Sequence, residues 1–123
     1  RAIILPVSAP FHCSLMTPAQ EKMAEVLRET SIVKPLIPII SNITASAISD
    51  PTQIRKNLVK QITGTVRWRE SMIEMRRLGV ESFLEIGPGK VLSNLVKRIV
   101  KGVDQFSLGT SDELYKFMEQ SNV

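Results

Sequence analysis

The chain alternates short aliphatic runs with amphipathic stretches in which apolar residues recur at three- and four-residue spacing. Aliphatic runs of this kind are typical of buried strands, and the amphipathic stretches are typical of helices that cover a sheet. The alternation predicts an α/β fold with a mostly parallel sheet. No internal repeat, low-complexity tract or linker interrupts the pattern, so we expect one structural unit.

Four aliphatic runs predict strands. They are residues 2–8, 36–43, 82–86 and 106–108. Pro38 lies inside the second run and cannot donate a hydrogen bond to a neighbouring strand, which favours an edge or irregular position for that run.

Helix starts are marked by capping residues. Residues 17–20 (TPAQ) and 50–53 (DPTQ) both place a capping side chain before a first-turn proline, and Gln20 is expected to reach back to its cap. Thr65 is expected to cap a third helix that ends at Gly79. Two more helices are expected after the turn at 87–89 (GPG) and over 111–120.

The first of these helices has an apolar stripe. Met23, Val26 and Leu27 recur at helical spacing, so we expect them to form its buried face.

Composition narrows the class of protein. The 123 residues suffice for one domain with a real core, and 43% hydrophobic with 23% charged residues is typical of a soluble globular protein. No apolar run approaches the roughly 18 residues of a membrane helix. The single cysteine excludes an internal disulfide and fits a reducing compartment, so we expect a cytoplasmic protein with no membrane partner.

The chain starts with Arg1 rather than methionine, and residues 1–7 (RAIILPV) already have the pattern of a strand. No charged segment with a cleavage site precedes them, which argues against a signal peptide. We therefore expect the chain to be the C-terminal piece of a longer protein.

Positive charge is concentrated in residues 55–101. This segment holds 11 Lys and Arg against 4 Asp and Glu, whereas the whole chain has a net charge of +4. Such a segment attracts acidic or phosphate-bearing partners, and solvated helix faces explain it equally well. Without interleaved aromatic residues or a recognisable binding module, nucleic acid is not expected.

The sole histidine, His12, follows the first predicted strand and precedes a helix. Catalytic side chains gather at the carboxyl ends of parallel strands, and an imidazole is a natural general base near neutral pH. A histidine that only satisfies a loop hydrogen bond is the alternative. Cys13 is expected to be a buried, inert thiol, because side chains adjacent on an extended segment point apart. No cluster of Cys, His or carboxylates accompanies the pair, so no metal is expected.

The turn at 87–89 (GPG) lies between a predicted strand and helix. Helix N-termini bind phosphate, but both the Gly-x-x-x-x-Gly-Lys-Ser/Thr and the Gly-x-Gly-x-x-Gly patterns are absent. A structural turn is therefore favoured.

Four stretches together resemble one family. They are residues 5–19 (LPVSAPFHCSLMTPA), 38–45 (PIISNITA), 58–68 (LVKQITGTVRW) and 83–99 (FLEIGPGKVLSNLVKRI). Their order and spacing are similar to those of the malonyl-CoA:acyl carrier protein transacylases of bacterial fatty acid synthesis. The resemblance implies the C-terminal part of an α/β-hydrolase-like subdomain across 1–123, without the family's ferredoxin-like insert.

The resemblance also implies site residues. His12 would be the general base for a serine that carries malonyl from coenzyme A to the phosphopantetheine of acyl carrier protein, with no further cofactor. The backbone carbonyl of Gln61 would orient His12, so that substitution of the Gln61 side chain is tolerated while the loop keeps its shape. Asn42 would help shape the same end of the sheet and take part in substrate binding. Phe11, beside the base, would favour malonyl over methylmalonyl by crowding the extra methyl group.

The family's nucleophile is absent from these residues. No Gly-x-Ser-x-Gly occurs in the chain, and the family's arginine for the malonyl carboxylate and its oxyanion donors also lie upstream. We therefore expect the chain alone to be inactive and to need the N-terminal portion of the same enzyme. Three alternatives stay open: an acyltransferase domain of a polyketide or multidomain fatty acid synthase, a non-catalytic carrier-protein-binding module, and a proteolytic piece with no function of its own.

Overall fold

A computed structural model describes residues 9–121, so the predicted strand at 2–8 lies outside the described residues. The described chain divides into two compact units, Arg1–Ser71 and Met72–Val123, where the sequence predicts one. The boundary falls inside a helix rather than in a linker, which is why composition gives no sign of it.

The first unit is built around a helix pair and a small hairpin. Its elements are a 3-10 turn at Ser14–Met16, α1 (Thr17–Glu29), β1 (Ile39–Ile40), β2 (Ala47–Ile48), α2 (Pro51–Lys60) and the start of α3 (Trp68–Arg77). Helix α1 packs against α2, and Leu27 and Ile54 are buried. Strands β1 and β2 pair antiparallel, with Ile39 opposite Ile48.

The predicted cap of α1 is wrong. Met16 precedes the helix, and Thr17 is its first residue, with Oγ1 donating to the Ser14 carbonyl at 2.6 Å. Gln20 does not reach back; its Nε2 donates to the Val59 carbonyl at 3.1 Å. The reason is local: a 3-10 turn runs directly into the helix, which frees Gln20 for a tertiary contact.

The predicted stripe of α1 is correct for Leu27 alone. Met23 is 40% exposed and Val26 is 53% exposed, so that side of the helix is only partly covered.

The predicted strand at 36–43 shrinks to Ile39–Ile40. Pro35 and Pro38 lack the N–H that a strand ladder needs. A tight turn begins immediately afterwards, where the Ser41 carbonyl accepts from the Ala45 amide at 2.7 Å.

Helix α2 starts as predicted. The Asp50 carboxylate accepts from the Gln53 amide at 2.8 Å, and Pro51 occupies the first turn. The predicted cap of α3 at Thr65 is wrong. The residue immediately before the helix is Arg67, and its carbonyl is the first to accept a helical hydrogen bond. The backbone before α3 is held elsewhere, because the Arg67 amide donates to the Asn42 carbonyl at 2.8 Å.

The second unit begins within α3, whose end at Gly79 is confirmed. Gly79 has φ +91°, and its amide donates to the Arg76 carbonyl. The Val80 amide donates to the Met75 carbonyl, which completes a Schellman motif.

A parallel strand pair with helices packed on it forms the rest of this unit. Its elements are β3 (Ser82–Ile86), α4 (Val91–Ile99), β4 (Asp104–Leu108) and α5 (Ser111–Ser121). Strands β3 and β4 pair parallel in register, from Ser82 opposite Asp104 to Ile86 opposite Leu108. Their core consists of Val96, Val100 and Leu108. The parallel sheet is confirmed for this pair, whereas β1 and β2 are antiparallel.

Candidate functional site

His12 lies on the loop before the 3-10 turn and has a left-handed backbone, with φ 59°. A non-glycine residue in this region costs of order 1–3 kcal/mol and persists only when its surroundings hold it there. The side chain is exposed and supplies one such restraint, since Nδ1 lies 2.8 Å from the Gln61 carbonyl oxygen. The structure thus brings together the two residues that the sequence singles out.

This hydrogen bond sets the tautomer of a neutral His12 ring. A carbonyl oxygen can only accept, so Nδ1 must carry the hydrogen and Nε2 must carry the lone pair. Nε2 has no hydrogen-bond partner among residues 9–121. The ring therefore presents a free acceptor at the exposed side of the loop.

The Gln61 carbonyl is available because α2 ends at Lys60. The last carbonyls of a helix have no partner within the helix, and they form its partially negative end. The His12 N–H satisfies one of them. The same end attracts an imidazolium, which is the species that forms when the ring accepts a proton.

The segment around Gln61 is tied to α1. Gln20 donates from Nε2 to the Val59 carbonyl at 3.1 Å and to the Thr63 hydroxyl at 3.0 Å. Because the His12 loop leads into α1, this link fixes the loop and the end of α2 with respect to each other. Sequence reasoning missed this role of Gln20, since a glutamine at a helix start is ordinarily a capping residue.

Gly64 closes the turn after α2 and was also missed. Its amide donates to the Lys60 carbonyl at 3.0 Å. A Cβ at this position would lie 2.9 Å from that carbonyl oxygen and would overlap Ile43 Cδ1. The turn that presents the Gln61 carbonyl therefore needs a residue without a side chain here.

Asn42 and Phe11 occupy different surroundings. Asn42 is half-buried and donates from Nδ2 to Gln61 Oε1 at 3.2 Å, so it contacts the site through Gln61 and not through His12. Phe11 is 58% exposed, next to His12 in the chain. Their roles in substrate binding remain predictions.

Cys13 is turned toward its own loop. Its Sγ donates to the Pro10 carbonyl at 3.1 Å. No hydrogen bond joins it to His12 in the described part of the chain, and the residue is half-buried rather than buried as predicted, because it lies on an exposed loop.

Among residues 9–121, no group of three or more His, Cys, Asp or Glu side chains lies close enough to hold a metal ion. None of the helices described is both long enough and apolar enough to span a bilayer.

The turn at 87–89 leads into a helix start that is bound by a carboxylate of the chain itself. Gly87 and Gly89 have φ values of 135° and 95°. Glu85, on β3, accepts from the Leu92 amide at 3.1 Å and from the Ser93 amide and hydroxyl at 2.8 and 2.7 Å. These bonds, led by the Ser93 hydroxyl, lower the pKa of Glu85 below its usual value of 4.5. Glu85 thus occupies the Leu92 and Ser93 amides at the start of α4, which supports the structural interpretation of the turn.

Comparison with known proteins adds a family to this geometry. No protein-family model matches the chain. It is 46% identical over 99 residues to the malonyl CoA-acyl carrier protein transacylase of Bacillus subtilis, a match that covers 80% of the chain and 31% of that protein.

Solved structures agree. The acyl-carrier-protein-S-malonyltransferase of Bartonella henselae superposes with a TM-score of 0.87 at 41% identity, over 100% of this chain and 39% of that one. A complex of a type II polyketide acyl-carrier protein with its malonyl-transacylase matches with a TM-score of 0.82 at 37% identity, over 94% of this chain and 38% of that one.

The chain spans about a third of the length of the relatives that it matches. The resemblance predicted from the four sequence stretches is confirmed by these identities and by the superposed folds. The α/β character expected from the alternating pattern is shared with the same structures. Over most of its own length, and over about a third of theirs, the chain is similar to malonyl CoA-acyl carrier protein transacylases.

Proposed function

We propose that this chain supplies the general base of a malonyl-CoA:acyl carrier protein transacylase and that His12 is that base. The observation that carries the proposal is the 2.8 Å contact between His12 Nδ1 and the Gln61 carbonyl, which leaves Nε2 as the proton acceptor. The kinship with proteins named for this activity supplies the substrate class.

In the first half-reaction, a serine hydroxyl attacks the thioester carbonyl of malonyl-CoA. His12 Nε2 takes the hydroxyl proton as the C–O bond forms, and it returns that proton to the coenzyme A thiolate as the C–S bond breaks. The products are a malonyl-serine ester and free coenzyme A. The negative end of α2 stabilises the imidazolium between these two transfers.

In the second half-reaction, the proton moves the other way. His12 takes the proton of the carrier protein's phosphopantetheine thiol, and the thiolate attacks the ester carbonyl. The serine oxygen leaves with the proton from His12, which restores the free enzyme. Both halves need no metal or redox cofactor.

The serine must come from outside these 123 residues, because Gly-x-Ser-x-Gly does not occur in them. We place the malonyl-binding arginine and the oxyanion donors outside them as well, and we assign residues 1–123 to the C-terminal part of an α/β-hydrolase-like subdomain. The N-terminal portion of the same enzyme is thus a required partner.

Phe11 and the basic segment 55–101 are assigned to recognition. A ring beside the base excludes the extra methyl group of methylmalonyl, which favours malonyl. The excess of Lys and Arg in 55–101 suits a strongly acidic acyl carrier protein, and charge of this kind chiefly accelerates encounter. A separate non-catalytic carrier-binding role is not favoured, because the His12 geometry serves proton transfer rather than docking.

The test compares two preparations, the 123-residue chain and the full-length protein. Malonyl transfer to carrier protein is expected only from the full-length protein, with a malonyl ester on a serine outside the chain. Robust transfer by the 123 residues alone would overturn the assignment of the nucleophile. Carrier-protein binding without any transfer by the full-length protein would instead support a docking module.

A further inference from the structure

Gln61 uses two acceptors at once. Its main-chain carbonyl accepts from His12, and its side-chain Oε1 accepts from Asn42 Nδ2 at 3.2 Å. The family resemblance gives weight only to the main chain. The side-chain contact adds a second restraint on the same residue.

The carbonyl that orients His12 needs such a restraint. Gln61 is the first residue after α2, where helix ends fray and carbonyls lack helical partners. The His12 contact lies in an exposed part of the loop, so water competes with it. A carbonyl held by its own backbone alone would sample several directions, and each one tilts the imidazole differently.

Asn42, in contrast, lies on a turn that is anchored from three sides. The Arg67 amide donates to the Asn42 carbonyl at 2.8 Å. The neighbouring Ser41 is buried, and its hydroxyl accepts from Asn57 Nδ2 at 3.1 Å. The Ser41 amide also donates to the Ser46 carbonyl at 3.1 Å. The backbone at Asn42 is therefore held in place, and from this position its side-chain amide can hold Gln61.

We propose that Asn42 is a positioning residue for His12, acting through the side chain of Gln61. The Asn42–Gln61 hydrogen bond fixes the direction of the Gln61 carbonyl, and the carbonyl fixes the imidazole. The Gln61 side chain accordingly contributes to the reaction, and its substitution is not neutral. The proposal rests on the proposed function for its kinetic effect, but its structural effect on His12 is measurable without turnover.

A double-mutant cycle in the full-length protein tests the coupling. Asn42→Ala and Gln61→Ala are each expected to lower kcat for malonyl transfer about three- to tenfold, the scale of one hydrogen bond, with little change in KM for malonyl-CoA. The double variant is expected to match either single variant, because both remove the same contact. Asn94→Ala, which removes an exposed side-chain amide of the same size on α4, is the matched control and is expected to keep the parent kcat.

The second readout is the exchange of the His12 Nδ1 proton with water, followed by proton NMR. Exchange is expected to accelerate in Asn42→Ala and Gln61→Ala alike and to stay at the parent rate in Asn94→Ala. Additive kinetic losses, or parent exchange rates in both single variants, would overturn the positioning role. Accelerated exchange in a protein that transfers no malonyl would uphold the coupling while rejecting the proposed function.

Discussion

Two helix ends in this molecule each meet a charged or titratable side chain, and they use it in opposite ways. At the start of α4, Glu85 accepts hydrogen bonds from two backbone amides and from the Ser93 hydroxyl. The Ser93 hydroxyl is also hydrogen-bonded to Ser107 Oγ at 2.8 Å. At the end of α2, His12 donates one hydrogen to the Gln61 carbonyl, and its other ring nitrogen has no partner among the residues described.

The difference distinguishes a structural cluster from a chemical one. The Glu85 cluster is closed: its contacts stabilise the ionised carboxylate and the helix start, and little capacity remains for a substrate. The His12 cluster is open, since the helix-end contact orients the ring and leaves Nε2 without a hydrogen-bond partner among residues 9–121. Both lie in stretches that carry the family resemblance, so the number of free hydrogen-bonding atoms separates their roles better than position does.

The largest effect is expected when the His12 side chain is removed. His12→Ala in the full-length protein should lower the rate of serine acylation by about 10²- to 10⁴-fold, the usual contribution of a general base. Rapid-quench detection of the malonyl ester measures it, with circular dichroism to verify the fold. Cys13→Ala, which changes the adjacent residue, should acylate at the parent rate. Near-parent acylation by His12→Ala would refute the base assignment.

A smaller effect is expected at the exposed residue beside the base. Phe11→Ser should raise the ratio of methylmalonyl to malonyl transfer about tenfold, because removal of the ring makes room for one methyl group. Competition between the two thioesters measures the ratio directly. Leu15→Ser, at another exposed apolar position of the same region, should leave the ratio unchanged. Equal shifts in both variants would mean that Phe11 does not select the acyl group.

Substitutions at two glycines compare a turn beside the His12 site with a turn away from it. Gly64→Ala should cost about 1–3 kcal/mol of unfolding free energy through overpacking against the Lys60 carbonyl, and it should also slow acylation by moving the Gln61 carbonyl. Gly102→Ala meets open space but has φ +68°, so it should cost about 1 kcal/mol and leave acylation unchanged. Denaturant unfolding and acylation rates of both variants measure this. Parent acylation by a destabilised Gly64→Ala would detach the turn from the site.

The smallest effect is expected at the closed Glu85 cluster. Because the pKa of Glu85 is lowered in the folded state, its contribution to stability is complete above its usual value of 4.5 and is lost as pH falls through the lowered value. Glu85→Gln should therefore be less stable than the parent at pH 7, and the gap should narrow under acid. Urea unfolding between pH 7 and 3 follows it, with the exposed Glu119→Gln as control. A gap independent of pH would contradict the assigned cause.

Local signals predicted much of this structure. The Asp50 cap, the Gly79 terminus and the strand at Ser82–Ile86 follow from side-chain chemistry within a few residues. The failures differ in cause. Gln20 bonds to the end of α2, a contact between residues distant in sequence that no local pattern encodes. The strand at 36–43 is cut short locally, by prolines and a tight turn whose effect on strand length the aliphatic pattern outweighed in the prediction.

The site shows the same limit. The resemblance paired His12 with Gln61, and the structure places their atoms in contact. The sequence does not predict the side-chain link to Asn42, the role of Gly64 or the closed Glu85 cluster, because each depends on which atoms remain free after folding. The sequence therefore singled out His12 and the Gln61 carbonyl, but not the side chains that hold Gln61 in place.

The most direct test of this account is the ¹⁵N NMR spectrum of the His12 ring in the full-length protein at a pH where the ring is neutral. The account predicts a protonated Nδ1 coupled across its hydrogen bond to the Gln61 carbonyl, together with an unprotonated Nε2. A ring protonated at Nε2, with Nδ1 bare, would contradict it, because the lone pair would then face the helix end and the exposed nitrogen could not accept the serine proton.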